Sequence, residues 1–217
     1  MIIEKHVSAP YGSISELSRE GEDALRTRID GKTKPPGSLG RLEELALKLG
    51  LMQGTAAPTL QGAVLVVAGD HGLAEEGVSP FPQAVTAQMV LNFLHGGAAI
   101  NVLVRQMGLP LKVIDAGVAS ELPSHPDLVV NKLRAGTRNA LREAALTPEE
   151  VEAGLDIGAG LVDELAAKGV NALLLGEMGI GNTSTAALIM SALLELPVAE
   201  CVGRGITTPG WRGRSRY

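Results

Sequence analysis

Continuous apolar runs, each ending at glycine and followed by a helical pattern, organise this 217-residue chain. Ala63-Val-Leu-Val-Val-Ala68 lacks the alternation of a half-exposed strand, so it predicts a strand buried on both faces. It runs into Gly69-Asp70-His71-Gly72. Lys112-Val-Ile-Asp115 predicts a second strand ending in Ala116-Gly117, and Leu128 to Leu133 a third. Val170 to Leu175 predicts another buried strand, which opens into Gly176-Glu-Met-Gly-Ile-Gly-Asn-Thr183. Helices are expected from about Gln83 to Leu94 and from Ala98 to Met107. A third runs from Thr147 to about Lys168, with Pro148 at its first position and Glu149 and Glu150 in its first turn. Thr183 or Ser184 then opens an Ala/Leu-rich helix to about Leu194. Strands alternating with helices predict an α/β fold with a doubly wound, mostly parallel sheet.

Ahead of the first strand the pattern is helical. A polar helix is expected over Ile14 to Ile29, then an extended turn at Lys34-Pro35-Pro36-Gly37. A second helix follows, capped by Ser38 and carrying Leu39, Leu42, Leu45, Ala46 and Leu49 at helical spacing. Residues 1–58 therefore read as an N-terminal helical segment, part of a smaller domain. Residues 59–205 read as a Rossmann-like α/β domain, incomplete at its C-terminal side. There is no internal repeat and no low-complexity linker.

Composition narrows the partners. The chain is 45% hydrophobic and 20% charged, with a net charge of −5. No basic stripe is available for phosphate-backbone binding, and the few aromatics (Tyr11, Phe81, Phe93, Trp211, Tyr217) offer no stacking platform. Nucleic acid is not expected as a partner. The single cysteine, Cys201, cannot form an internal disulfide, which suits a reducing compartment. With no signal pattern and no unbroken apolar run of about 18 residues, a soluble cytoplasmic protein without a membrane partner is expected.

The candidate chemistry follows the carboxyl ends of the strands, where open α/β sheets bind ligands. The turn Gly176 to Thr185 joins strand to helix. Its glycines can aim several N–H groups at one point, and Asn182, Thr183 and Ser184 can add side-chain hydrogen bonds, as a phosphate cradle requires. The same residues also suit a glycine-rich turn with a capping threonine. The pattern fits neither the dinucleotide fingerprint nor the P-loop, whose lysine it lacks. Glu177 is either a solvated loop acid or a carboxylate facing a developing cation. Asp70-His71, with Glu75-Glu76 beyond, reads more readily as a pair ordering the backbone than as a metal site, because no histidine pair has a ligand spacing. Ser79, Phe81, Gln88 and Met89 could wall a flat heteroaromatic ring or simply pack a helix.

In order along residues 30–205, these stretches resemble one family. They are Lys34-Pro-Pro-Gly-Ser-Leu-Gly-Arg-Leu-Glu43, Ala68-Gly-Asp-His-Gly72, Glu76-Gly-Val-Ser79 with Val85-Thr86, Val113-Ile-Asp-Ala-Gly-Val118, Gly176-Glu-Met-Gly-Ile-Gly-Asn-Thr183 and Val202-Gly-Arg-Gly205. The family is the nicotinate-nucleotide–dimethylbenzimidazole phosphoribosyltransferases of cobalamin nucleotide-loop assembly. The resemblance implies transfer of phosphoribose from nicotinate mononucleotide to 5,6-dimethylbenzimidazole, giving α-ribazole 5′-phosphate and nicotinate with inversion at the anomeric carbon. It implies no metal, no cofactor, and a homodimer. By matched position Glu177 resembles the family's supporting carboxylate. Gly179, Gly181, Asn182, Thr183 and Ser184, with Gly203, Arg204 and Gly205, match the phosphate and ribose side. Ser79, Phe81, Gln88 and Met89 match the benzimidazole side.

The family's general-base glutamate, and a lysine on the phosphate side, belong to later segments without a counterpart here, so little turnover is expected from the chain as written. Residues 206–217, with Trp211 and three alternating arginines, are expected to be an out-of-frame tail, since a family-like continuation read one base out of frame would give them. A break after Ile206 would expose apolar surface on the last strand and the first helices. Two other readings are open on sequence: a non-catalytic nucleotide- or benzimidazole-binding module, and a metal-assisted hydrolase at Asp70-His71.

Overall fold

The computed structural model describes residues 15–203; Arg204, Gly205 and the tail 206–217 lie outside them. The chain divides into two compact units between Leu60 and Gln61. In the first, α1 (Glu22–Asp30) and α2 (Arg41–Gln53) pack through Leu25 and Leu47, both buried. Gly50 makes this possible: a Cβ there would meet Leu25 Cδ2 at 2.7 Å. Glycine in a helix interior costs about 1 kcal/mol, and here it admits a leucine.

Two expectations for this unit change. The first helix starts at Glu22 rather than near Ile14, after Gly21 at φ 79°, with Glu22 and Asp23 at its positive end. The second is not capped by Ser38. It starts after Gly40, and the Glu43 carboxylate reaches back to accept the Leu39 N–H at 3.0 Å while pairing with Lys34 at 2.9 Å. The turn ahead of the helix is thus fixed by an acidic side chain from its first turn, and no side chain caps the helix itself. Leu39, Leu42 and Leu45 are exposed.

The second unit is a four-stranded parallel sheet in the order β3-β2-β1-β4, flanked by helices. Its strands are β1 (Gly62–Gly69), β2 (Leu111–Gly117), β3 (Leu128–Val130) and β4 (Ala172–Met178). The α/β, mostly parallel architecture expected from the sequence is the one observed. Central β1 buries Val64, Leu65, Val66 and Ala68, each valine or leucine contributing roughly 1.5–3 kcal/mol. The chain passes outward from β1 through α3 (Val85–Leu94) and α4 (Ala99–Met107) to β2 and β3. It then returns through α5 (Pro148–Ala167) to lay β4 on the other side of β1. That reversal places a crevice between the carboxyl ends of β1 and β4. Ala68, Val90, Val113 and Val118 form the core beneath it. On β4, at the sheet edge, Leu174 and Leu175 are exposed.

By length and composition Val85–Met107 is apolar enough to cross a membrane, with a mean hydropathy of 1.3. In the fold it is two helices. Buried Asn101 ties the break by accepting from the Ala98 N–H and donating to the Phe93 carbonyl, and Thr86 and Val90 are wholly buried.

α5 begins as its sequence predicts. Thr147 Oγ1 accepts the Glu150 N–H, and Glu150 accepts the Thr147 N–H in return. Glu150 also takes a two-pronged contact from Arg138, at 2.6 and 3.2 Å. Arg138 first and the Thr147 N–H second hold its carboxyl down at about 2. The unfolded chain therefore binds this proton before the folded one does. Stability from Glu150 is present above an ordinary carboxylate pKa and is lost as pH falls from about 5 toward 2. Urea midpoints should fall less steeply over that range in Glu150→Gln than in the parent, and parallel curves would contradict the assignment.

Candidate active site

The loops at the carboxyl ends of the strands are knitted together by backbone. The Asp70 N–H donates to the Gly117 carbonyl, and the Asp70 carbonyl accepts the Thr137 N–H, both at 2.9 Å. The Asp70 side chain, 3% exposed, accepts the Ala119 N–H through Oδ2 at 2.8 Å; its Oδ1 is buried without a protein donor among the described residues. Asp115 does the same work on β2, accepting from the Gly117 and Val118 N–H groups and pairing with Lys132 at 3.4 Å. Gly72 lies against the 137–139 backbone, and its N–H donates to Thr137 Oγ1.

His71, next to Asp70, faces the opposite way. Its Nδ1 is 3.0 Å from Thr185 Oγ1, and burial is the main force pushing its pKa down, against the nearby Asp70 and Glu177 carboxylates. The imidazole is therefore neutral near pH 7. The Asp-His pair thus ties β1 to two different neighbours. Among the described residues no cluster of three His, Cys, Asp or Glu side chains could hold a metal ion.

The end of β4 and the turn after it carry six of the candidate residues: Glu177, Gly179, Gly181, Asn182, Thr183 and Ser184. α6 (Asn182–Leu194) starts one residue earlier than Thr183, with Gly181 at φ 92° in the cap position. The Glu177 carboxylate accepts a hydrogen bond from Asn182 Nδ2, and Asn182 Oδ1 accepts the Thr183 N–H at 2.7 Å. Glu177, Asn182 and Thr183 are thereby brought together at the head of α6, with Glu177 and Thr183 exposed.

The turn is less open than its glycines suggest. The Ile180 N–H donates to Thr86, and the Asn182 N–H to the Gly179 carbonyl. Those of Ser184 and Thr185 donate to the Gly181 carbonyl, and that of Thr183 to Asn182. The glycines have local reasons as well. A Cβ on Gly179 would overlap the Gly69 carbonyl and touch the His71 ring at 3.0 Å, while Gly181 needs its positive φ. A ligand at this turn can use the Asn182, Thr183 and Ser184 side chains, or displace the Asn182 side chain from the Thr183 N–H.

The remaining candidates are more scattered. Ser79 Oγ accepts the Phe81 N–H, which shapes the loop before α3 and leaves Phe81 40% exposed. Gln88 is exposed and Met89 half-buried. Two positions from Thr86, Gln88 points about 200° around the helix from it. Gly203 follows α7 (Val198–Cys201), with open space where a Cβ would stand. Sequence alone assigns no role to Thr86 or Thr185. Thr86 stands within a family-like stretch, but its partner is 94 residues away. A groove of about 540 Å³ lies elsewhere, in the helical unit, lined by Leu17, Ile29, Leu47 and Leu51. Of its four acids, Glu22 and Glu43 are already paired with Arg26 and Lys34.

A family model described as phosphoribosyltransferase matches residues 14–214. The chain is 54% identical over 196 residues to a nicotinate-nucleotide–dimethylbenzimidazole phosphoribosyltransferase of Cupriavidus necator, covering 90% of this chain and 57% of that protein. A protein of the same name from Parabacteroides distasonis is 46% identical over 206 residues, covering 94% and 58%. The fold is similar to the crystal structure of CobT from Thermus thermophilus, with a TM-score of 0.83 and 48% identity, covering 88% of this chain and 58% of that one. The chain thus spans little more than half the length of these relatives.

Proposed function

Because this chain belongs to the nicotinate-nucleotide–dimethylbenzimidazole phosphoribosyltransferase family, we propose that it serves transfer of phosphoribose from nicotinate mononucleotide to 5,6-dimethylbenzimidazole, with the crevice between β1 and β4 as the donor site. The observation that carries the reading is Glu177, held by Asn182 at the head of α6. In the reaction the bond from the anomeric carbon to the pyridinium nitrogen breaks, and its electron pair returns to nicotinate. A ring nitrogen of the benzimidazole supplies the pair for the new bond on the opposite face, and the acceptor's ring N–H proton leaves. Positive charge grows on the ribose as the donor bond stretches, and a carboxylate beside it lowers that barrier. Asn182, Thr183 and Ser184 would hold the phosphate, so that remote binding energy fixes the anomeric carbon. Ser79, Phe81, Gln88 and Met89 are proposed for the acceptor side, and Gly203, Arg204 and Gly205 for the phosphate side.

None of the described residues is proposed as the base. Slow nicotinate release from the 217 residues alone is the expected outcome, with formation of α-ribazole 5′-phosphate when it occurs. Chromatography of reactions containing both substrates decides this, and nicotinate mononucleotide that neither binds nor reacts would contradict the reading. A homodimer in the cytoplasm is proposed with it, and sedimentation measures the first part. Glu177 faces the cationic pyridinium in this account. Glu177→Gln should therefore weaken nicotinate mononucleotide binding about two- to fivefold, the scale of an exposed charge pair, without weakening the affinity for inorganic phosphate, which a carboxylate beside its site only repels. An equal change for both ligands would refute the role.

A further inference from the structure

Two side chains that the proposed chemistry does not use grip the β4–α6 turn from behind. Thr86, in the first turn of α3 and wholly buried, accepts the Ile180 N–H at 3.1 Å through Oγ1. His71 meets Thr185 Oγ1 at 3.0 Å through Nδ1, and its ring edge fills the space above Gly179. The β-carbon of His71 also lies 3.6 Å from where a Cβ on Gly181 would stand. One grip comes from α3 and the other from the end of β1, so the turn is fixed at both of its ends.

The choice of residue at position 86 is informative. A hydroxyl in a fully buried helix face costs free energy unless it is hydrogen-bonded, and valine has nearly the same shape. Its neighbours Val85 and Val90 are apolar, and Val90 is also wholly buried. For packing alone valine would serve; the hydroxyl adds a fixed orientation for one peptide group. The N–H that Thr86 holds belongs to the Gly179–Ile180 peptide, one residue ahead of Gly181 at φ 92°, and so helps to set where Asn182, the partner of Glu177, points. Thr185, one turn further along, sets the rotation of the first turn of α6.

We propose that Thr86 and His71 are positioning residues: by fixing Ile180 and Thr185 they hold the Glu177–Asn182 pair in the orientation that receives a phosphoribosyl donor. This rests on the donor-site reading above. The test compares Thr86→Val with Thr86→Ser, and His71→Ala with His71→Asn, whose amide can stand in for Nδ1. Nicotinate mononucleotide affinity is measured by calorimetry, unfolding midpoints by heating, and amide exchange at Ile180 and Gly181 by NMR. Thr86→Val should bind about tenfold more weakly, as expected for one lost hydrogen bond, beyond the fall in midpoint that an unpaired buried Ile180 N–H brings. Thr86→Ser should bind within about twofold of the parent, and His71→Asn should retain more affinity than His71→Ala. Parent-like binding by Thr86→Val would overturn the proposal. So would affinity that falls only in step with the midpoint in both Thr86 variants. If the unmodified chain does not bind the nucleotide, the donor-site reading fails, and exchange decides the positioning claim separately. Faster exchange at Ile180 in Thr86→Val but not in Thr86→Ser sustains it, and unchanged exchange overturns it.

Discussion

Gly72→Ala is expected to cost about 3 kcal/mol of stability, an overpacking penalty at the upper end of the usual range, and to lower the unfolding midpoint by about 6–12 °C. A Cβ at this position would lie 2.6 Å from the Arg138 carbonyl carbon, 2.6 Å from the Thr137 oxygen and 2.7 Å from the Asn139 nitrogen. All three are backbone atoms, so no rotamer change relieves them. The 137–139 segment would have to move away from β1, and two bonds would go with it: Thr137 N–H to the Asp70 carbonyl, and Gly72 N–H to Thr137 Oγ1. The Glu76 contacts to Asn139 and Arg142 span the same gap and would loosen as well. Gly77→Ala is the control. Its site is open but its φ is 71°, so only backbone strain of about 1–2 kcal/mol is expected. Calorimetric midpoints compare them, and equal losses would show that steric approach at Gly72 is not what holds the loop.

Gly179→Ala combines a smaller stability loss with a larger functional one. The added methyl would overlap the Gly69 carbonyl and press the His71 ring at 3.0 Å. The carbonyl belongs to the end of β1 and cannot retreat without breaking the sheet there, so the turn itself must lift. Lifting it separates Ile180 from Thr86 and Thr185 from His71, and the Glu177–Asn182 pair loses its support. Roughly 2 kcal/mol of destabilisation follows from overpacking. Nicotinate mononucleotide affinity should fall by more than about tenfold, since more than one hydrogen bond is disturbed. Gly181→Ala, where the nearest atoms are 3.6 Å away, should show strain from φ 92° but a milder loss of affinity. An alanine at 179 that leaves both midpoint and affinity unchanged would mean that the turn is not set by this approach.

The elements that sequence made legible are those decided by local chemistry. β1 stood out because a parallel strand covered on both faces is apolar along its length; β4 carries the same apolar run but is not the buried strand it predicts, because it lies at the sheet edge with Leu174 and Leu175 exposed. The start of α5 stood out because Thr147, Pro148 and Glu150 each satisfy the helix end locally. The α1 start and the α2 cap were misplaced for the complementary reason. Residues 15–19 carry helix-compatible composition without helical structure, and the turn before α2 is held by Glu43 accepting the Leu39 N–H rather than by Ser38. Strand order was not legible, because nothing in the β4 sequence says on which side of β1 it adds.

The candidate site divides in the same way. A strand, glycines, Asn182 and a helix start mark this turn as the candidate ligand site, and Glu177 beside it is visible from its position. How many of the turn's amides are already satisfied is a tertiary matter. Ile180 finds Thr86 and Thr185 finds His71 across 94 and 114 residues, contacts with no local signature. Thr86 looks like one more β-branched residue in an apolar helix.

The crevice at the carboxyl ends of β1 and β4 is proposed to receive the nicotinate nucleotide. Amide NMR spectra of the ¹⁵N-labelled 217-residue chain, titrated with nicotinate mononucleotide, test it most directly. Saturable shifts concentrated on Glu177 and on the amides from Gly179 to Thr185, with His71 responding alongside, are the predicted result. Shifts confined to the groove lined by Leu17, Ile29 and Leu47, or no saturable shifts at all, would contradict it.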